Sequence, residues 1–277
     1  MIDVNDENHD LKERNIKDSK NRKTAQYLGE GVTFFLLIAA GAVFVFRAIN
    51  RQLYQSQQQQ HFMMAITHEL KTPIAVTKLN LETLQKRTLN TEQQQRLIST
   101  TIQEADRLNA LCNNMLLTSQ IEAGGYKIIK EKIDLSELAK ACAYDFIIRY
   151  PNRKIETHLE PGTFVSGDKI LLQLAVNNLL DNAIKYSRKE DIVLLRIDSA
   201  KNFVKLRIID EGPGILPGEK ERIFEKYYRG ASRQTKGTGL GLYLTKKIVE
   251  QHSGSITVAG NLPHGSIFEI ILTVLKN

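Results

Sequence analysis

The sequence predicts a multidomain chain made of a transmembrane helix, an antiparallel helical hairpin that forms a dimeric four-helix bundle, and an α/β sandwich domain. Residues 31–46 contain no charged side chain, residues 63–84 and 98–116 repeat apolar positions at helical spacing, and beyond about Lys130 short strand and helix patterns alternate. The expected segments are a polar tail at 1–26, the transmembrane helix at 27–47, a helical linker at 48–61, the hairpin at 62–123, a linker at 124–131 and the α/β domain at 132–277.

Composition narrows the class of protein. A chain of 277 residues has room for one to two compact domains and additional segments. The net charge is +7, but the basic residues are scattered among acids without a basic stripe interleaved with aromatics, so no nucleic-acid partner is expected. Cys112 and Cys142 lie in helical patterns without metal-ligand spacing, which is typical of unpaired thiols in a reducing compartment.

The apolar run at 31–46 is about 16 residues long, shorter than the ~20 residues of a full membrane span. Extension back to Tyr27 reaches that length and includes Glu30. A buried core helix is one alternative, but no neighbouring segment could cover it. A signal peptide is another, but the run starts late and lacks a small-residue cleavage site. We therefore expect a transmembrane helix.

The segment from Arg51 to His61 is rich in glutamine and lacks Gly and Pro, which favours a helix leaving the membrane over a flexible linker. The two helical patterns that follow carry apolar stripes too wide for one partner helix to cover, so burial predicts a bundle of two copies. Thr91 and Gln94 have the spacing of a capping box at the second helix, and Gly124 with Gly125 ends it.

The α/β domain is predicted from helical periodicity and strand alternation. Asp134 is placed to cap a helix that reaches Ile148, and the turn at 200–202 joins two alternating strands into a hairpin. The expected helices cover 168–186 and 240–251, and the expected strands cover 154–159, 163–166, 192–198, 203–209, 255–259 and 266–275. This order predicts helices on one face of a largely antiparallel sheet.

His68 begins the sequence HELKTP inside the first helical pattern. It lies off the apolar stripe, so its imidazole is expected to face outward. Its neutral ring is a competent nucleophile near pH 7, because the histidine pKa is about 6.5. Glu69 can accept the other ring N–H, and Thr72 lies one turn on along the same face. The other five histidines lack such surroundings and are expected to be structural.

Asn178 and Asn182 lie four residues apart within NNLLDNAIKY, so their amides share one face of a predicted helix. Amides in that position lower stability unless they have partners. An Asn carbonyl oxygen is a suitable Mg²⁺ ligand, and Lys185 nearby could neutralise a phosphate. Helix capping or bridging is the structural alternative.

Two glycine motifs follow. Asp210 opens DEGPGI directly after a predicted strand, where its carboxylate can accept a hydrogen bond from adenine N6 and repel guanine O6. The sequence KGTGLGL at 236–242 opens a helix, and glycine N–H groups there form an anion cradle for phosphates. Residues 216–236 between them are predicted to form a polar lid, with Phe224 as apolar anchor and Arg229 available to a phosphate.

In this order the motifs resemble those of the sensor histidine kinases of two-component signalling. The resemblance covers the chain from about Gln52 to its C-terminus. It is carried by five ordered motifs, which are HELKTP at 68–73, NLLDNAIKY at 178–186, DEGPGI at 210–215, FEKYYR at 224–229 and GTGLGL at 237–242.

The resemblance implies a homodimeric histidine-phosphotransfer hairpin followed by a Bergerat-type ATP-binding domain, with ATP and Mg²⁺ as cofactors. His68 would be phosphorylated by ATP and would pass the phosphoryl group to an aspartate of a response-regulator receiver domain. Glu69 would be the general base, Thr72 would orient water in the phosphatase direction, and Asn182 would hold the metal. The implied nucleotide-binding residues are Asn178, Asn182, Lys185, Tyr186, Asp210, Gly212, Gly214, Arg229, Lys236, Gly237, Thr238, Gly239, Leu240, Gly241 and Ser266.

The membrane topology contains a conflict. Six Lys or Arg residues precede the apolar run and only Arg47 and Arg51 follow it closely, so the positive-inside rule places the tail in the cytoplasm. ATP chemistry requires the C-terminal side to be cytoplasmic, and this requirement takes precedence over the charge rule. We expect the helix to span the plasma (inner) membrane. Membrane members usually have two spans around a sensor, so a truncated or unusually short relative is expected. The alternative functions are another Bergerat-type ATPase or a catalytically inactive dimeric scaffold.

Overall fold

The computed structural model describes residues 4–230 and 238–275, with the side chains at 4–13, 15 and 25 outside that description. The helices are α1 (Val4–Lys86), α2 (Thr91–Glu122), α3 (Leu135–Arg149), α4 (Lys169–Tyr186) and α5 (Gly241–Gln251). The strands are β1 (Glu131–Asp134), β2 (Lys154–Leu159), β3 (Phe164–Gly167), β4 (Ile192–Ser199), β5 (Phe203–Asp210), β6 (Ser255–Gly260) and β7 (Ser266–Thr273). Short 3₁₀ turns lie at Pro217–Glu219 and Arg222–Phe224, and the chain divides into units Met1–Gln57 and Gln58–Asn277.

The first unit is helical from Val4, including most of the polar tail for which no element was predicted. Once a helix is nucleated, each further residue adds a backbone hydrogen bond, and the Gln26–Glu30 side-chain pair at 3.0 Å supports the turn before the apolar run. The predicted membrane segment is helical and solvent-facing, with Phe44 74% exposed. By length and composition this helix can cross a membrane.

The helical hairpin is confirmed, but the capping box of its second helix lies one residue before the predicted one. Asn90 has an extended backbone and is the N-cap: its side-chain oxygen accepts from Gln93 N at 2.8 Å, and Gln93 Oε1 accepts from Asn90 N at 3.3 Å. The Thr91–Gln94 assignment was therefore wrong, because an asparagine side chain caps as well as a hydroxyl.

The predicted glycine stop at the end of α2 is confirmed. Gly124 has φ +67°, and its N–H donates to Ile121 O at 3.2 Å while Gly125 N donates to Gln120 O at 2.9 Å. This pair of bonds is a Schellman motif, which favours glycine at the position after the C-cap because the backbone there is left-handed. The chain leaves α2 here and enters the α/β domain.

The sheet of the α/β domain has five strands in the order β2-β4-β5-β7-β6. Its pairs are antiparallel except β2 with β4, so the prediction of a largely antiparallel sheet is confirmed. The predicted β4–β5 hairpin closes with Ala200 N donating to Phe203 O at 2.8 Å. Sequence analysis missed β1, which pairs antiparallel with β3 in a separate two-stranded sheet.

One face of the sheet is apolar and covered by helices. Alternate residues of β4 and β5 are buried, such as Leu195 and Leu206, and full burial of such a side chain stabilises the fold by about 1.5–3 kcal/mol. The opposite face carries ion pairs, with Arg207 at 3.0 Å from Asp198 and 2.6 Å from Glu269. The two-layer prediction is therefore confirmed.

Candidate active site

His68 lies on α1 with its side chain exposed, as predicted. Thr72 Oγ1 donates to the His68 carbonyl oxygen at 3.2 Å, the bond expected between residues one helical turn apart. The hydroxyl is thus held on the face that carries the imidazole.

Glu69, predicted to accept from the imidazole, is instead turned toward α2. Its Oε2 accepts a hydrogen bond from Arg107 Nη2 at 2.8 Å, and its side chain is only 11% exposed. In the described part of the chain no hydrogen bond joins Glu69 to the His68 ring. Arg107 was missed because it belongs to another helix and to no motif, so local spacing held no signal for it.

The asparagine motif lies on α4, against the start of α5. Asn178 Nδ2 donates to Gly241 O at 3.4 Å, which joins the asparagine and glycine motifs. Asn182 is half-buried, and its amide has no hydrogen-bond partner within residues 4–230 and 238–275. Lys185 Nζ lies 5.0 Å from the centre of the Tyr186 ring. An amide without a protein partner, a cation and an aromatic ring therefore follow one another along this helix.

Asp210 ends β5 and is buried, only 3% exposed. Its Oδ1 accepts from Gly212 N at 2.8 Å and Ser266 N at 3.2 Å, while no hydrogen bond to Oδ2 is found among the described residues. Burial raises the pKa of Asp210, and the two backbone hydrogen bonds oppose that rise without cancelling it. Asn261, which sequence analysis did not single out, holds the adjacent backbone by donating to Asp210 O at 3.1 Å.

The glycines beside Asp210 allow close approach of the backbone. A Cβ on Gly212 would lie 2.8 Å from Tyr186 O, so a side chain there would push the end of α4 away from Asp210. Gly214 has φ +75°, the left-handed conformation that disfavours other residues. Gly212 therefore allows Tyr186 and the DEGPGI loop to lie together, and a Cβ on Gly214 would lie 3.1 Å from Gly265 O.

The second glycine motif leads into α5. Lys236 and Gly237 lie outside the described residues. Gly239 has φ +70°, and a Cβ there would lie 2.7 Å from Tyr228 O. Thr238 Oγ1 accepts from Leu240 N at 3.4 Å, and Leu240 is buried at the position preceding Gly241. The first N–H groups of α5 have no partner within their helix, which suits an anion.

The predicted lid is described up to residue 230. Phe224 is buried and meets the Phe268 ring edge-on, with centroids 6.4 Å apart, so its role as apolar anchor is confirmed. The Arg229 side chain is exposed.

This lid contacts the helical hairpin of its own chain. Tyr227 stacks on Phe62 of α1 with ring centroids 3.8 Å apart, and Leu240 joins a small apolar cluster with Phe62 and Ile66. Glu122, at the end of α2, accepts from Lys226 Nζ and from Tyr243 Oη, each at 2.7 Å. Sequence analysis did not anticipate this contact.

Comparison with known families identifies two matched regions. Residues 58–124 match the His Kinase A (phospho-acceptor) domain. Residues 167–276 match the histidine kinase-, DNA gyrase B- and HSP90-like ATPase family.

Curated relatives extend the similarity over most of the chain. Sensor histidine kinase RppB of Synechocystis is 30% identical over 94% of this chain and 59% of its own length. Sensor protein CiaH of Streptococcus pneumoniae is 29% identical over 87% of this chain and 56% of its own length. The chain thus spans somewhat more than half the length of these two relatives.

Solved structures share the fold. The mycobacterial sensor histidine kinase MprB is 30% identical, with a TM-score of 0.50, and is matched over its full length by 54% of this chain. Histidine kinase AdeS of Acinetobacter baumannii is 23% identical, with a TM-score of 0.55, covering 76% of this chain and 98% of its own.

Proposed function

Because the chain belongs to the sensor histidine kinases of two-component signalling, we propose that it phosphorylates His68 with ATP and Mg²⁺ and passes the phosphoryl group to an aspartate of a response-regulator receiver domain. The observation that carries the proposal is the joining of three separate motifs in one part of the α/β domain. Asn178 donates a hydrogen bond to Gly241 O. Because Gly212 has no side chain, the end of α4 can lie directly against the DEGPGI loop.

The residues of these three motifs fit ATP. Asp210 accepts its two backbone hydrogen bonds at Oδ1, which leaves Oδ2 to accept the adenine amine. Guanine would present an acceptor to the same oxygen, which gives selectivity for adenine. The N-terminus of α5, with Thr238 and Gly239 before it, would receive the phosphates. The full set that we propose for the nucleotide is the fifteen residues from Asn178 to Ser266 named in the sequence analysis.

The metal would lie at Asn182, whose amide has no partner among the described residues and whose carbonyl oxygen suits Mg²⁺. When bound there, Mg²⁺ supplies positive charge against the phosphate oxygens. Lys185 lies one turn away on α4 and would add a second positive charge. Tyr186 ends this helix beside the proposed adenine position.

The chemistry at His68 is a phosphoryl transfer. The unprotonated ring nitrogen forms a bond to the γ-phosphorus, the bond from that phosphorus to the β–γ bridging oxygen breaks, and ADP leaves. The proton on the other ring nitrogen passes to Glu69 as positive charge develops on the ring. In the second transfer an aspartate oxygen of the regulator takes the phosphoryl group, the N–P bond breaks and the ring regains a proton.

The assembly that we propose is a membrane-anchored homodimer. The apolar part of α1 around 31–46 would cross the plasma membrane, with the residues after it in the cytoplasm where ATP is available. The exposed apolar face of the hairpin would be covered by the same face of a second copy. A phosphatase activity toward the regulator would use Thr72 to orient water.

Labelling of the full-length chain in detergent with γ-labelled ATP tests this proposal. The wild-type label should be lost in acid and kept in base, as expected for a phosphoramidate, and His68→Gln should abolish it. Asn182→Ala should lower the labelling rate at least roughly 100-fold, the effect of losing charge stabilisation at a transferring phosphoryl group.

Asn202→Ala provides the matched control, since Asn202 is an exposed asparagine in the turn between β4 and β5. It should label at the wild-type rate. An acid-stable label, or label that persists in His68→Gln, would refute the proposed function.

A further inference from the structure

We infer that Arg107 is a positioning residue for the phosphoryl transfer, which restricts the rotamers of the Glu69 side chain next to His68. The inference rests on the proposed function and deepens it at the same site. Arg107 lies on α2, outside every motif discussed above, and reaches across the hairpin to the residue next to His68.

The contact is specific in geometry. Arg107 Nη2 donates to Glu69 Oε2 at 2.8 Å, the length of a charge-assisted hydrogen bond. The Glu69 side chain is 11% exposed, whereas the His68 side chain beside it is exposed. A glutamate with so little exposure next to an exposed histidine is held inside the hairpin rather than moving freely in solvent.

A second carboxylate lies near the guanidinium. Arg107 Nη1 lies 3.9 Å from Glu104 Oε2, one turn earlier on α2, and Glu104 is 22% exposed. This distance is too long for a hydrogen bond, so the Glu104 charge attracts the guanidinium without fixing its direction. The direction is set by the 2.8 Å hydrogen bond to Glu69.

This arrangement leaves one carboxylate oxygen for chemistry. Oε2 of Glu69 is occupied by Arg107, and in the described part of the chain Oε1 has no hydrogen-bond partner. A free glutamate on a helix samples several rotamers, and only some bring an oxygen to the His68 ring. Holding Oε2 restricts that sampling and leaves Oε1 as the oxygen that would receive the ring proton during formation of the N–P bond.

Arg107 is expected to act through Glu69 and not on ATP. Arg107→Gln should therefore lower kcat for labelling of His68 by roughly tenfold and leave KM for ATP unchanged. Arg107→Lys keeps a cation and one donor and should recover part of the rate. Arg96→Gln, which changes an exposed arginine of the same helix, should behave like wild type.

A double-mutant comparison separates positioning from a structural role. Glu69→Gln should lower the rate more than Arg107→Gln does, and adding Arg107→Gln to Glu69→Gln should cause no further loss. All variants are measured as the full chain in detergent, with thermal unfolding and dimer content recorded on the same samples. Neither of these should differ between Arg107→Gln and Arg96→Gln.

Three results would overturn the inference. They are a wild-type rate in Arg107→Gln, a tenfold further loss in the Glu69→Gln background, and a loss of thermal stability or dimer content that accounts for the slower labelling. Failure of the proposed function itself is scored separately, on wild type and His68→Gln, by the acid lability of the label.

Discussion

At the scale of the residue, Asp210 is placed where binding and stability make opposite demands. A buried carboxylate is disfavoured in its charged form, and burial accordingly raises the pKa of Asp210 above its usual 3.8 despite hydrogen bonds from Gly212 and Ser266. A group whose pKa is raised on folding contributes stability that is full below the unfolded pKa and is lost as pH rises through the folded pKa. Ionised Asp210 therefore lowers stability at neutral pH, while its charge serves recognition of adenine.

Asp210→Asn is predicted to weaken ATP binding by roughly 10- to 100-fold, because a hydrogen bond to a charged acceptor is replaced at Oδ2 by an amide donor or a weaker acceptor. The melting temperature should not fall and should rise where the neutral amide keeps the Gly212 and Ser266 bonds. Fluorescent-nucleotide titration and thermal unfolding measure the two effects.

The pH dependence provides a second measure of the same carboxylate. Wild-type affinity for nucleotide should decline as pH falls through the raised pKa of Asp210, at a higher pH than an ordinary aspartate would give, whereas Asp210→Asn should lack that component. Asp191→Asn should retain that component with its midpoint at a lower pH, because the Asp191 charge is one of the causes of the raised pKa of Asp210. An identical profile in wild type and Asp210→Asn would contradict the role given to Asp210.

Thr72 provides a second prediction at this scale. Its hydroxyl is held one turn after His68 by the bond to the His68 carbonyl. Thr72→Ala should leave autophosphorylation within about twofold of wild type, since the hydroxyl takes no part in N–P bond formation. Dephosphorylation of the phosphorylated regulator should fall roughly tenfold, because the water that attacks the acyl phosphate loses its positioning group.

Thr83→Ala is the control for Thr72, because Thr83 makes the same type of bond, to Leu79 O at 2.7 Å, away from His68. It should change neither rate. If Thr72→Ala behaved identically, the Thr72 hydroxyl would be a helix-face group with no part in the phosphatase reaction.

At the scale of the elements, the end of α2 and the lid meet through Glu122. Burial by itself raises the pKa of Glu122, but hydrogen bonds from Lys226 and Tyr243 lower it overall. For Lys226, burial lowers the pKa, but the interactions with Glu122 and Tyr227 together outweigh burial and raise the pKa overall. The stability that ionised Glu122 contributes is present above pH 4.5 and is lost as the pH falls below that value. The stability that charged Lys226 contributes is present below pH 10.5 and is lost as the pH rises above that value.

The contact should therefore keep its strength between pH 6 and 8, the range in which trypsin can probe it. Glu122→Gln should expose the linker after α2, which contains Lys127 and Lys130, and raise its cleavage rate roughly fivefold, equivalent to about 1 kcal/mol for a pair that is about one-third exposed. Glu137→Gln, which breaks only the exposed pair with Lys140, is the control. Equal cleavage of the two variants would mean that Glu122 does not hold the lid on the hairpin.

At the scale of the whole molecule, an apolar groove runs between the two helices of the hairpin. It is lined by Ile74, Thr77, Lys78, Leu81, Glu82, Gln85, Ala105 and Leu108, and Ile74 and Leu81 are 54% and 53% exposed. An exposed apolar groove of this kind in a helical pair is covered in a four-helix bundle by a second pair. The groove is the physical basis for the proposed dimer.

Leu81→Lys should weaken the dimer by roughly 100-fold or more, because two symmetry-related charges would be buried in an apolar seam. Native mass spectrometry or sedimentation of the full chain in detergent measures this as a shift toward monomer. Leu262→Lys changes a leucine that is 91% exposed in the β6–β7 loop, and should leave the dimer intact. A fully active monomeric wild-type chain would contradict the dimer proposal.

Most helices and strands and the local positions of the motifs could be predicted from the order of residues alone. Helix α4 was predicted within a residue of its observed bounds, because its apolar spacing and its cap, Asp168 accepting from Ile170 N and Leu171 N, are both local. The β4–β5 hairpin was likewise evident from alternation on either side of a short turn. Relations between residues two to four apart repeat along the chain, so they leave a periodic signal.

Contacts between side chains that are distant along the chain could not be predicted and are evident only in the folded protein. Arg107 with Glu69, Glu122 with Lys226, and β1 with β3 join segments that no local pattern relates. His252 is a further case: it is buried, and its Nε2 accepts from Asp168 N at 2.9 Å while Nδ1 donates to Ile248 O at 2.7 Å. Each of these pairings depends on how whole helices and sheets pack. The residues next to a polar side chain in the sequence are the same whether that side chain contacts solvent or a residue many positions away, so the sequence gives no local sign of the contact.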